Sequence, residues 1–456
     1  MPGWATVADQ GPGVGPGHLL VTLAVVAGVG LLGLSWFAIW RRTRAMADLS
    51  IRRLSWVVGA WVAPLLFAAP LASQDVWHYG AEGKMVLDGF GGYRPSILLG
   101  HSVWTLGVDT KWAARPPLYG PGAIDLSAFF VKISGGRPWV AAECWRVSAV
   151  IGLLLCAWGV RRIISLRGGN ATRALVAGVA NPAVLIILVG GIHNDALMLG
   201  LVVAGIALAL SGNRSWGIVV CAIGVAVKPN ALLAVGALAW WAWGIQWRQR
   251  AKGALAATGA VGGVLAVSGL GLGGGFGWVH SVLSYAWVPG PWSLGAQFFG
   301  AASGWPVDAI EMVGTAVAVV LVLTVRRSGG WIVALGWGFA VLAVTTPTPE
   351  PWYLAWAVAL LCCAGLHRRS ERLGVIVLSV MMAAGVLPLG LVLWPEGIVA
   401  LAAIGVLSLR SHLRATGTSA AATPDERHAV GDGDGDGEQP PSGATPIRVP
   451  SALHHV

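Results

Sequence analysis

"RRIISLRGGNATRALVAGVANPAVLIILVGGIHNDALMLGLVVAGIALAL", Arg161 to Leu210, decides how this chain folds. Four arginines occupy its first thirteen positions, and an apolar run then leads to "GGIHND" at 190–195, a polar break without Lys or Arg. A second apolar run follows to Leu210. Cytoplasmic ends of membrane spans collect Lys and Arg, and a span needs roughly 20 mostly apolar residues. The stretch therefore reads as one span running outward, a turn at the outer surface, and a second span returning.

The same alternation extends in both directions. Basic breaks at 41–53, 161–173, Arg214, 247–252, 326–330, 367–372 and Arg410 to Arg414 alternate with breaks nearly devoid of Lys and Arg at 190–195, 271–297, 346–351 and 393–397. The pattern closes with about thirteen helices, near 18–40, 54–72, 139–160, 173–190, 195–211, 215–228, 231–246, 252–271, 309–325, 331–346, 352–366, 373–388 and 394–409. Composition agrees: of 456 residues 56% are hydrophobic and 11% charged, against about 25% charged in a soluble domain. Backbone groups cannot stay unpaired in lipid, so such runs form helices and exclude an open sheet. The expected class is an all-α, multi-pass plasma-membrane protein.

The net charge of +10 is concentrated between the spans, which explains it without nucleic acid. The five cysteines, Cys144, Cys156, Cys221, Cys362 and Cys363, lie in apolar runs at spacings that suit neither a disulfide framework nor a zinc site. Residues 1–17 are expected outside as a short N-terminus, 18–413 as the transmembrane domain with outer loops 73–138 and 271–308, and 414–456 as a disordered cytoplasmic tail. Within that tail "DGDGDGE" opens like a calcium loop, but the twelfth position from Asp432 is Gly443 where Glu is required. The run 119–136 would break the alternation as a crossing, so an interfacial or re-entrant helix is predicted there.

Sorted by side, Asp75, Glu82, Asp88, Asp109, Asp195, Asp308, Glu350 and Glu396 fall at or beyond the outer surface, whereas Asp48 and Glu371 flank the inner one. Ionisable groups at membrane depth are costly and usually line a functional cavity, so the chemistry is expected to face outward. In "LASQDVWHYGAEGKMVLDGFGGYRP" (71–95), Asp75 follows the second span and is shielded by Trp77, His78 and Tyr79. It reads either as a general base or as the cap of a short helix. Asn194 and Asp195 read as helix caps, while His193 beside the helix N-terminus suits a phosphate. Lys228, before Pro229, reads as a snorkelling lysine or a lipid-phosphate anchor, with Arg115 as a second anchor. The aromatic segment 271–308 suits sugar stacking or an interfacial belt.

In order along the chain, "SQDVWHYGAEGKMVLDGFGGYRP", "RPPLYGPG", "GGIHNDALMLG", "AVKPNALL" and "PWYLAW" resemble the polyprenol-phosphomannose-dependent α-1,6-mannosyltransferases of lipomannan biosynthesis, from about Leu54 to Trp356. The resemblance implies a multi-span glycosyltransferase C fold, an extracytoplasmic site, polyprenyl phosphomannose as donor, and Asp75 as catalytic base. The acceptor implied is an α-1,6-mannan or mannosylated glycolipid. Donor-phosphate ligands expected from the residues are His193, Lys228 and Arg115, and the acceptor or sugar contacts are Trp77, His78, Tyr79, Tyr119, Asn194, Asp195 and Trp352. No metal site is read from the scattered acids, although some enzymes of this fold use a divalent ion. The alternatives are a transferase of another polyprenyl-phosphate sugar such as arabinose, and a lipid-linked sugar transporter or flippase.

Overall fold

The computed structural model describes residues 16–45, 50–71, 73–93, 102–113, 115–271, 277–284, 293–299, 305–325, 330–366, 368–386 and 400–404. The described residues form helices, turns and connecting loops, with no strand among them. The tail expected at 414–456 and the break at 393–397 lie outside them, as do residues 1–15 and much of the loop 271–308.

The chain opens with α1 (Pro16–Ala45) and α2 (Ile51–Val62), whose N-cap Ser50 accepts from the Arg53 amide. The span expected at 54–72 stops early: Pro64 opens a 3₁₀ turn over Ala63–Leu66, since proline has no N–H to continue an α-helical ladder. Two short helices, α3 (Asp75–Leu87) and α4 (Pro121–Ile133), pack on each other. The second falls where a non-crossing helix was predicted, at 119–136.

Next come α5 (Pro138–Leu166), α6 (Ala171–Ala177) and α7 (Pro182–Gly190). The stretch 173–190, expected as one span, is broken between α6 and α7 and bent by 57°. Pro182 disfavours helical geometry at Asn181, which adopts an extended backbone and pairs the groups freed at the break. Its Oδ1 accepts from the Ala183 amide at 3.0 Å, and its Nδ2 donates to Ala177 O at 3.1 Å and Ser379 Oγ at 2.7 Å. The end of α7, Ile186–Gly190, is wound as a π-helix, a form found often at functional sites.

The rest is α8 (Asp195–Leu210), α9 (Arg214–Val227), α10 (Leu232–Trp241), α11 (Trp247–Leu270), α12 (Gly277–Ser284), α13 (Leu294–Phe299), α14 (Trp305–Thr324), α15 (Gly330–Thr345), α16 (Leu354–Cys363) and α17 (Arg369–Val386). Among the described residues, Pro138–Leu166, Trp247–Leu270 and Val307–Thr324 are long and apolar enough to cross a membrane, and the bent pair α6–α7 passes the same test when its two halves are taken together, as a broken span or a re-entrant loop. Asp195–Leu210, Arg214–Val227, Gly330–Thr345 and Pro351–Cys363 are shorter apolar helices.

The centre is α5 packed along α8. Gly152 and Gly200 face each other so closely that a methyl group on either would overlap the opposite backbone, the small-residue contact that lets membrane helices approach. Around this seam, Val160, Ile163, Val202, Val203 and Leu360 are fully buried. Arg146 anchors the chain entering α3: its guanidinium donates to Leu66 O at 2.8 Å, Ala68 O at 2.6 Å and Glu143 Oε1 at 2.6 Å. Glu143 and Arg146, at i, i+3 spacing on α5, thus pair as part of a clamp on the preceding segment.

Candidate active site

One face of α3 carries Asp75, His78, Tyr79 and Glu82, at the i, i+3, i+4, i+7 spacing of a single helical stripe. All four are buried. The Asp75 amide donates to Ser73 Oγ at 3.1 Å, and the Asp75 side chain turns inward. Its Oδ2 meets His193 Nδ1 at 3.2 Å and accepts from the Tyr79 hydroxyl at 3.4 Å. That hydroxyl in turn accepts from the Asn194 amide at 3.3 Å.

His193 reaches this position through a strained turn. Ile192 has φ of 57°, a left-handed conformation rarely adopted by a β-branched residue, and it is fully buried. Gly191 precedes it, where an added methyl would meet the Ile187 carbonyl oxygen and the His193 ring. The imidazole stacks on Trp352, with centroids 4.0 Å apart and planes 22° from parallel.

A second charged pair lies beside the first. Lys228 precedes Pro229, which holds it extended, with φ of −147° and ψ of 122°. Its Nζ reaches Asp195 Oδ1 at 2.8 Å and Oδ2 at 2.9 Å, and Trp356 Nε1 donates to Oδ1 at 2.8 Å. The ammonium also sits 4.4 Å from the Tyr353 ring centroid, 5.3 Å from Trp356 and 5.8 Å from Tyr119, all within cation–π range.

These groups border a cavity of about 490 Å³. Asp75, His78, Tyr119, Lys228, Asn230, Trp352 and Tyr353 make its polar end. Leu232, Leu233 and Gly236 of α10, Val319, Val322 and Leu323 of α14, and Leu342 of α15 make an apolar wall. That wall opens sideways, since Leu232, Val319 and Leu323 line the cavity yet remain 41%, 39% and 36% exposed.

Burial alone would raise the Asp75 pKa, but the His193 hydrogen bond and the positive charges of His193, Lys228 and His78 outweigh it and hold the carboxyl below its ordinary value. Burial would lower the His78 pKa, and the Glu82 carboxylate, 2.9 Å from its Nε2, raises it instead. Burial lifts the Tyr79 phenol well above its usual range, so it stays a neutral donor. The polar end thus holds an ionised carboxylate supported by a histidine, the arrangement of a general base.

The structure sorts the expected residues into three groups. Asp75, His78, Tyr119, Lys228 and Trp352 meet at the cavity. His193, Tyr79, Asn194 and Asp195 stand behind its wall: Asp195 is 0% exposed and holds Lys228, and Asn194 makes no side-chain cap. Each is enclosed by α3, α8 or the aromatic residues of 352–356. Trp77 and Arg115 do not border the cavity. The odd helix position of Trp77 turns it to the other flank of α3, where it packs edge-on against Trp104 with centroids 5.9 Å apart, and Arg115 lies over Trp112, 5.5 Å from the ring centroid.

Sequence reasoning missed Trp356, which orients Asp195, and Glu311, which lines the cavity from α14. The signal for Glu311 was an acid three positions after Asp308, at the head of an apolar run. No three His, Cys, Asp or Glu side chains among the described residues gather closely enough to share a metal ion.

A family model described as "Alpha-(1->6)-mannopyranosyltransferase, N-terminal domain" matches residues 5–244, and "MptB C-terminal domain" matches 298–414. Alpha-(1->6)-mannopyranosyltransferase A of Mycobacterium tuberculosis is 29% identical over 383 residues, covering 78% of this chain and 73% of its own. Alpha-(1->6)-mannopyranosyltransferase B of Corynebacterium glutamicum is 27% identical over 433 residues, covering 83% of this chain and 71% of its own. Both matched segments carry cavity residues, Asp75 and Lys228 in the first and Glu311 and Trp352 in the second. The chain belongs to the alpha-(1->6)-mannopyranosyltransferase family, a family of membrane glycosyltransferases.

Proposed function

We propose that this protein transfers mannose from polyprenyl phosphomannose to an α-1,6-mannan or mannosylated glycolipid at the extracytoplasmic face of the plasma membrane. The observation that carries the reading is Asp75, ionised and supported by His193, at the polar end of a cavity whose other wall is apolar and open to the side. An isoprenoid tail suits the gap between α10 and α14, with its phosphate rising toward Lys228 and His78. About thirteen spans in a glycosyltransferase C arrangement, occupying 18–413 with outer loops at 73–138 and 271–308, complete the reading.

In the reaction, Asp75 removes the proton from the acceptor hydroxyl as that oxygen bonds to the anomeric carbon. The bond between that carbon and the phosphate oxygen breaks, and its electron pair leaves with polyprenyl phosphate. Attack from the opposite side turns a β-linked donor into an α-linkage. His193 donates to the carboxylate that must stay ionised, and Tyr79 fixes its angle. Lys228 stabilises the charge gathering on the leaving phosphate, an interaction worth more in the transition state than before it.

The test is transfer of labelled mannose from polyprenyl phosphomannose to a short α-1,6-mannoside, comparing wild type with Asp75→Asn at matched expression. Transfer by wild type alone supports donor, acceptor and base. Equal rates remove Asp75 from the chemistry. Transfer only from a polyprenyl-phosphate arabinose donor replaces the sugar, and movement of lipid-linked sugar without bond formation replaces the enzyme reading.

A further inference from the structure

Among the Asp, Glu, His and Lys side chains bordering the cavity, Asp75 is joined to His193, His78 to Glu82, and Lys228 to Asp195. The fourth, Glu311, makes no hydrogen bond or ion pair with any described residue. It lies in α14, one of the helices long and apolar enough to span a bilayer, where an ionisable side chain marks a functional position by default.

Its placement is set by packing. The Thr345 side chain lies against Gly314, which joins α14 to the end of α15 and brings Glu311, nearly one turn earlier, toward Thr346 and Thr348. Thr315, one turn further along α14, lines the same cavity. This wall therefore presents a carboxylate among hydroxyl groups, whereas the donor-phosphate side presents Lys228. A carboxyl group among hydroxyls offers no positive charge to hold a lipid phosphate. Its two oxygens suit instead the adjacent hydroxyl groups of a neutral sugar, each donating one hydrogen bond.

We propose that Glu311 binds the acceptor: it takes hydrogen bonds from hydroxyls of the acceptor's terminal sugar and holds that sugar from the α14 wall while Asp75 works from the α3 wall. This rests on the transferase reading and adds where the acceptor is gripped. Glu311 touches substrate without exchanging a proton with it, so its loss weakens acceptor binding far more than turnover.

Two measurements on the full-length protein in detergent test it. In the transfer assay, Glu311→Ala raises the KM for a short α-1,6-mannoside roughly tenfold or more, the scale of one lost hydrogen bond to a charged group, and leaves the donor KM within about twofold. Glu311→Gln, which keeps the shape and one acceptor oxygen, falls between, and Asp308→Asn, one turn away on the exposed side, matches wild type. Unchanged acceptor KM overturns the proposal, as does a rise in donor KM alone. A requirement for a divalent cation that vanishes in Glu311→Ala also overturns it, by making Glu311 a cation ligand. Direct titration of the mannoside by tryptophan fluorescence needs no donor, so it separates this proposal from the transferase reading. Weaker binding to Glu311→Ala than to wild type upholds the acceptor grip even if mannose is not the transferred sugar. Equal binding overturns it even if transfer is confirmed.

Discussion

His193 Nδ1 lies 3.2 Å from Asp75 Oδ2, although the two residues are 118 positions apart in the chain. Only Asp75 reaches the cavity, with His193 behind it against Trp352. The order is carboxylate in front and imidazole behind, so on the proposed mechanism the histidine acts on substrate through the aspartate.

This relationship fixes a pH dependence. As the proposed base, Asp75 works only when ionised, and its pKa lies below the ordinary carboxylate value because His193, Lys228 and His78 together outweigh burial. The acid limb of kcat/KM in wild type therefore falls below the usual carboxylate range. In His193→Gln the burial cost remains while a charge is lost, so the limb moves to higher pH and activity drops first in mildly acidic buffer. Asp75→Asn lowers kcat by roughly 10²–10⁴-fold at all pH values. A limb that stays put in His193→Gln would sink the supporting role; pH–rate profiles in detergent decide it.

The Lys228–Asp195 pair predicts a separation of stability from activity. Removing Lys228 alone leaves Asp195, fully buried, without its counter-charge, a loss of about 3–5 kcal/mol for a buried pair. Lys228→Met is therefore expected to melt early. Lys228→Met with Asp195→Leu recovers much of the melting temperature but none of the transfer, because the ammonium proposed to face the leaving phosphate is gone. Thermal melts beside transfer rates show whether the two properties part.

Gly191→Ala tests the turn that delivers His193. The added methyl overlaps the Ile187 carbonyl and the imidazole, so the ring is displaced from Asp75. Loss of transfer with a shifted acid limb is expected, resembling His193→Gln. An enzyme as active as wild type would show that the turn has room to spare.

Trp77 gives the opposite outcome. It packs against Trp104 and Gly107, away from the cavity, so Trp77→Leu lowers thermal stability by a few kcal/mol, the scale of a large-to-small core change, and leaves both KM values near wild type. A selective rise in acceptor KM would return Trp77 to the sugar-binding set.

Much of the architecture was legible because hydropathy and charge are summed along the chain. The runs around Pro138–Leu166, Trp247–Leu270 and Val307–Thr324 announce their helices, and the short helix Pro121–Ile133 falls where keeping the basic breaks on one side predicts a helix that does not cross. The broken stretch 173–190 was less legible: Pro182 was visible, but the partners that stabilise the break, Ala177 O and Ser379 Oγ, come from the neighbouring turn and from α17. Glu311 was passed over because an acid in an apolar run looks the same from the sequence whether it faces lipid, a partner or a cavity.

The sequence by itself determined a helical membrane chain, the family resemblance, and the short list that contains Asp75, His193 and Lys228, since these depend on residue type and local spacing. Tertiary structure decided their placement. It set Asp75 before His193, bound Lys228 to Asp195, turned Trp77 away and left Glu311 in the cavity without a hydrogen-bond or ion-pair partner among the described residues. Those relations join α3, the α7–α8 turn, the α9–α10 break, α14 and α16, segments far apart in sequence. A side chain's charge state and reach depend on what packs around it, and that packing exists only once the helices have come together.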